Sequence, residues 1–402
     1  MSSRWPVVAA FACLGVATQV CWLGYASVTT ATARHFGVSE QAVGWLANLF
    51  PLLFVVLAVP TGIALDRWLR PTLAVGALLI AVGAGLRIVE DAYWAALVGQ
   101  VLAAVAQPIL ANAITRVAAT YLVPGHRAVG IAIGAGATYL GMIMATGIGT
   151  AIPDDVPLVV AIGAGFSVLT AVGGLVALRV RPVFEHERAP KGALRVPGVP
   201  VLAGIVFLGM GIFVAVATWL DPLLAKSGFP ADRSGLLLLI MLVAGVVGCV
   251  LVPPLAERTR KEPLALLTTG VVVAVVCLAL GMAPGATGLV VSVPFGFTLL
   301  SALPVALAMV ERAHPALAGP ITSLIWLAGN AGGVVVSLGI GFLLDAPPVA
   351  FTVLAALGVG AAVLARVLQH QEDQVAGAQG HHDLAPGGHP AVGEQTGAAA
   401  AD

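Results

Sequence analysis

Apolar runs long enough to cross a lipid bilayer recur twelve times along this chain, and that repetition decides what it can fold into. A membrane-spanning helix needs about twenty apolar residues. The runs fall near residues 7–29, 41–64, 72–89, 94–121, 128–150, 157–178, 199–224, 235–254, 264–283, 286–310, 320–344 and 348–366. They are too long for barrel strands and show no period-two alternation, which excludes a closed barrel. Helices that satisfy their own backbone are the remaining solution in lipid. Composition agrees. Hydrophobic residues make up 59% of the 402 residues and charged residues 9%, too few to cover a water-facing surface. The formal net charge of zero gives no attraction to nucleic acid. Cys13, Cys21, Cys249 and Cys277 lie inside apolar runs and read as packing residues rather than disulfides or a metal site. The first run outlasts a signal peptide's core, so it is expected to be retained as a membrane helix.

Loop charges set an orientation. With the N-terminus inside, fifteen of the nineteen Lys and Arg residues fall on the cytoplasmic side, and only Arg34, Arg87, Lys226 and Arg233 on the other. The positive-inside rule then puts both termini in the cytoplasm of a cell (inner or plasma) membrane protein. A basic loop around Arg179, Arg181, Arg188, Lys191 and Arg195 follows the sixth run and divides the chain. The expected units are residues 1–180, a linker at 181–198, a second half at 199–367 and a disordered tail at 368–402. The tail carries His370, His381, His382 and His389, read as solvated rather than metal-binding. The halves echo one another. Pro108 lies eight residues before Arg116 in the fourth run, and Pro304 lies eight before Arg312 in the tenth.

Gly62, Asp66, Arg67 and Arg70, in the loop after the second run, have the spacing G-x-x-x-D-R-x-x-R. That loop resembles the corresponding one of the major facilitator superfamily. The pieces CWLGY, WLANLF, LDRWLRPT, GAGLR, YWAALVGQVLAAVAQP and the stretch from Arg127 to Gly141 are similar to the feline leukaemia virus subgroup C receptor-related (FLVCR) family. GIFVAVATWLD and the region from Glu311 to Asn330 extend the likeness into the second half. The resemblance implies an all-α fold of twelve transmembrane helices in two six-helix halves. It also implies transport of a small organic solute, with choline, ethanolamine, haem and vitamin-like compounds among the family's ligands. It places Trp22, Tyr25, Gln107 and Asn330 at cavity positions, and makes Asp66, Arg67, Arg127 and Glu311 the gating set. Three positions depart: Thr18 stands where the family has asparagine, Val214 stands at a caging aromatic, and Asn330 stands where relatives carry glutamine. The second departure weakens the case for choline itself.

The residues support part of this on their own. Thr18, Trp22 and Tyr25 fall on one helical face, as do Gln100 and Gln107, and as do Ser323, Trp326, Asn330 and Ser337. Polar stripes in apolar helices turn toward the bundle or a cavity. Trp22 and Trp326 read as cavity aromatics suited to an organic cation, or as packing. The Asp66–Arg67 pair reads as a gate that makes and breaks contacts, or as a snorkelling helix end. Arg116 and Glu311 read as a contact across the halves or as anchors. Asp221 could attract a cation, exchange a proton or cap a helix in water. Arg87 reads as a local pair with Glu90 or Asp91.

No nucleotide loop, dinucleotide fingerprint or HExxH helix is present in the sequence. The expectation is a non-enzymatic transporter without cofactor or metal, a monomer in the bilayer, either a uniporter or proton-coupled. A drug or metabolite exporter of the same superfamily is the competing transport reading, and a non-transporting receptor the alternative from another class.

Overall fold

The computed structural model describes residues 3–184, 196, 198–226, 228–282, 284–313 and 317–383. Thirteen α-helices lie among them: α1 (Trp5–Leu23), α2 (Thr29–Phe36), α3 (Glu40–Arg67), α4 (Leu69–Val89), α5 (Tyr93–Tyr121), α6 (Pro124–Ala151), α7 (Val156–Ala177), α8 (Val199–Ala225), α9 (Ala231–Thr259), α10 (Glu262–Met282), α11 (Pro284–Ala313), α12 (Ala318–Gly341) and α13 (Pro347–Asp383). Twelve spans are long and apolar enough to cross a membrane, the first made of α1 and α2 together.

The sequence reading differs at that first span. It is broken after Leu23, and a short 3-10 turn at Ala26–Val28 joins its two pieces. The freed carbonyl of Cys21 is satisfied sideways, accepting from Gln100 Nε2 at 2.9 Å. The last helix also differs, running to Asp383 past the expected tail boundary. Its Gln, Glu and Ala residues are good helix formers. His389 and the linker residues Arg188, Lys191 and Arg195 lie outside the described residues.

Helix ends follow local chemistry. The Ser39 hydroxyl accepts from the Ala42 amide and caps α3, and Asp155 caps α7 through the Leu158 amide. Proline opens α1, α6, α7 and α8 within the first turn, where its missing N–H costs nothing. Between spans, small residues let backbones meet. A Cβ on Gly83 would lie 2.6 Å from the Gly99 carbonyl oxygen, so α4 and α5 touch backbone to backbone.

Helices α1–α7 pack chiefly among themselves, as do α8–α13. The halves meet mainly where α3 faces α12 and α6 faces α9. The even number of spans puts both termini at one end of the bundle, here called basal; the opposite end is distal. Each half is tied at its basal end by one ion pair. Arg116 of α5 donates to Asp66 at 2.8 Å, and Arg312 of α11 pairs with Glu262 at the start of α10. Each pair spans 50 residues of chain, so the Pro–Arg echo of the sequence returns as matched construction.

Candidate functional site

Between the halves lies a cavity with about 890 Å³ of atom-free space, open solvent at its mouth included. Its walls come from α1, α3, α5 and α6 on one side and α8, α11 and α12 on the other. Trp22 is 4% exposed and sits in the wall, its indole fixed by a hydrogen bond from Nε1 to the Ala47 carbonyl at 3.0 Å. The Phe213 ring approaches it edge-on, with centroids 6.2 Å apart and planes at 69°; Phe50 lies behind at 6.4 Å. Trp326, Phe54 and Tyr139 add aromatic wall. No lining residue is charged among those described.

Gln107 lines this cavity, and so does Gln19, three residues before Trp22 on the same face. Both side-chain carbonyl oxygens are buried and accept no hydrogen bond. Leaving such an oxygen without a donor costs about 1–3 kcal/mol, so both are disposed to accept from a solute or water. A smaller pocket continues from here into the first half, between α1, α5 and α6; it shares Gln19, Gln107, Ala111 and Thr138 with the main cavity.

The other candidates fall in several places. Asn330 lines the cavity, with its Nδ2 donating to the Trp326 carbonyl. Thr18 lines the side pocket instead, its hydroxyl given to the Gly15 carbonyl at 2.7 Å. Tyr25 leaves the stripe altogether and lines a separate pocket with Arg87. Gln100 holds the end of α1 rather than facing the cavity. Val214 does line the cavity, and Phe213 beside it supplies an aromatic ring one position earlier.

At the basal end, Arg116 is committed to Asp66 within its own half, and Glu311 is exposed. The expected contact between Arg116 and Glu311 is therefore not made; the neighbouring Arg312 pairs with Glu262 instead. Arg67 is exposed. Arg127 lies over the Phe184 ring, 5.2 Å from its centroid. Arg87 does not pair with Asp91, which is held by His35 at 2.8 Å.

Closure is concentrated at the distal end. Asp221 of α8 is 3% exposed and accepts from the Thr30 amide at 2.9 Å and the Ser234 hydroxyl at 2.7 Å. It thus caps α2 of the opposite half from a buried position rather than in water. Gln41 Nε2 donates to the Gly341 carbonyl at 3.2 Å, a second bond between halves. The Trp219 indole, fixed by Nε1 donation to the Ser337 carbonyl at 2.7 Å, lies flush on Gly44, where any Cβ would fall 1.8 Å from the ring. Trp326, which also lines the cavity, is 37% exposed.

Gln19, Phe213 and the Trp219–Gly44 contact escaped the sequence reading. Gln19 carried a readable signal, a lone amide at helical spacing from Trp22. Gly44 carried none.

The family model described as Major Facilitator Superfamily matches residues 7–337. An uncharacterized protein of Archaeoglobus fulgidus is 34% identical over 142 residues, spanning 34% of this chain and 64% of that relative's length. Solute carrier family 49 member A3 of Danio rerio is 27% identical over 361 residues, 81% of this chain and 76% of the relative. The human choline/ethanolamine transporter FLVCR2 is 21% identical over 384 residues, 85% of this chain and 72% of the relative. Among solved structures, a point mutant of the nucleoside transporter NupG superposes with a TM-score of 0.68 at 13% identity, covering 90% of this chain and 99% of that one. The human organic anion transporter MFSD10 gives 0.66 at 14% identity, covering 91% and 100%.

Proposed function

Because the chain belongs to the major facilitator superfamily, a family of membrane transporters, we propose that it carries a small organic cation of the choline and ethanolamine class by alternating access. One observation carries this reading. The cavity offers aromatic faces, Trp22, Phe213 and Trp326, and two unpaired amide oxygens, with no ionised group among its described lining residues. Aromatic faces attract an alkylammonium group through the ring quadrupole, and the amide oxygens accept its hydroxyl or N–H. Relatives named choline/ethanolamine transporters support the same ligand class. Phe213 restores the aromatic surface that Val214 withholds.

The carrier works as a uniporter in this reading, since no carboxylate lines the cavity among the described residues to exchange a coupling proton. Asp221 serves the distal closure. A single chain holds both halves and the whole cavity, which supports a monomer as the working unit. The excess of basic residues on the basal loops supports cytoplasmic termini in the cell membrane, and the cavity then faces the cytoplasm.

The test is counterflow of labelled choline and ethanolamine in proteoliposomes of the purified chain. Saturable exchange, lost in Trp22→Ala, is expected. Vesicles that exchange neither compound nor any other small alkylammonium ion would refute the ligand class. The side pocket beside Gln19, walled by Val8, Phe11, Leu110 and Val117, favours a second reading: export of bulkier amphipathic compounds. Inhibition by long-chain quaternary ammonium ions that are themselves carried would favour it.

A further inference from the structure

Within the first half, away from the central cavity, a small pocket lies between α1, α4, α6 and α7. Arg87 of α4 enters it with Tyr25, Cys21 and Gly24. The Arg87 Nε and Nη2 atoms are buried and donate to nothing, while Nη1 reaches the Cys21 carbonyl only at 3.5 Å. The obvious counter-charges are elsewhere: Asp91 is held by His35, and Glu90 is exposed. The arginine is also held in place. A Cβ on Gly99 would lie 2.9 Å from Arg87 Cγ, so its stem packs on the bare backbone of α5.

An ionised guanidinium cannot shed its charge, and a buried cation without a partner is costly in proportion to its desolvation. An anion set against the two idle donors would offset that cost. We propose that this pocket binds a small monovalent inorganic anion of the halide class, held by the Arg87 guanidinium and the Tyr25 hydroxyl. The walls are otherwise apolar, Val20, Ile148, Val159 and Val160 among them. That suits a weakly hydrated monovalent ion over phosphate or sulfate, which need more donors. The anion sits at the break of the first span, beside the same Cys21 carbonyl that Gln100 supports, one residue from the cavity's Trp22. The proposal is independent of which solute the carrier moves.

The test uses the purified full chain in a neutral detergent. Its melting temperature is titrated with sodium chloride against sodium gluconate at constant ionic strength. A saturable rise with chloride alone is expected, by mass action on the folded state, and Arg87→Gln should lose it. Should that variant not fold, Arg87→Lys keeps a charge but not the fork of donors, and its half-saturating chloride concentration should rise several-fold. Equal melting temperatures in the two salts, an undiminished chloride response in either variant, or a rise given by anionic phospholipid and not by chloride would overturn the assignment.

Discussion

Trp22 is where a binding role and a packing role make opposite forecasts. Its indole is oriented by Ala47, approached edge-on by Phe213 and set in the cavity wall. Trp22→Ala removes an aromatic face worth about 0.5–2 kcal/mol to a bound cation, or about two- to thirty-fold in affinity. Trp22→Phe should restore part of that and Trp22→Leu none. Substrate affinity measured beside melting temperature decides: unchanged affinity with lowered stability in all three would leave Trp22 as packing. Gln19 makes a complementary case. Its buried oxygen is unpaired, so Gln19→Met removes a destabilising group while deleting a solute acceptor. Weaker substrate binding with a melting temperature equal to or above wild type is expected, and a drop in stability alone would contradict the assignment.

The proposed gating belongs to whole elements. At the distal end a flat indole on a bare glycine is a contact that separates cleanly, because no side chains interlock. Gly44→Val places atoms inside the Trp219 ring and should hold the halves apart there. A cysteine at Gln41, beside Gly341 in the closed form, should then label faster with a membrane-impermeant thiol reagent, and transport should fall; unaltered labelling would show that closure does not run through this contact. At the basal end, Asp66→Asn removes the charge that holds Arg116. Insertion should survive and transport slow, whereas normal transport would return the loop to an ordinary helix end. Most of these elements were legible in the sequence, since a bilayer's thickness imposes span length and proline and glycine mark the ends. The break after Leu23 was not, because nothing in GYASV forbids a helix, and the Gln100 amide that meets the Cys21 carbonyl there comes from a distant helix. The cavity was half legible. Helical spacing found Trp22, Gln107, Trp326 and Asn330, but a one-residue shift separates Phe213 from Val214, and spacing cannot choose between neighbours when both reach the wall.

At the scale of the whole molecule, two halves each tied by its own ion pair can rock as bodies around one site. The basic basal loops support the proposed cytoplasmic termini, and a reporter that is active only outside the cell, fused after Asp402, should then be silent. The uncharged wall of the cavity has a consequence of its own. A cation of the proposed class would meet no ionised side chain among the described lining residues to offset its charge, so each turnover would move one net elementary charge across the bilayer. The carrier would then be a current source, and the resting voltage would set its equilibrium. A potential of 100 mV is worth about 2.3 kcal/mol per charge, enough for about fifty-fold accumulation on the negative side. Choline uptake into vesicles should therefore follow a potassium diffusion potential imposed with valinomycin, in sign and in steepness. Indifference to that potential would mean that another ion travels with the solute.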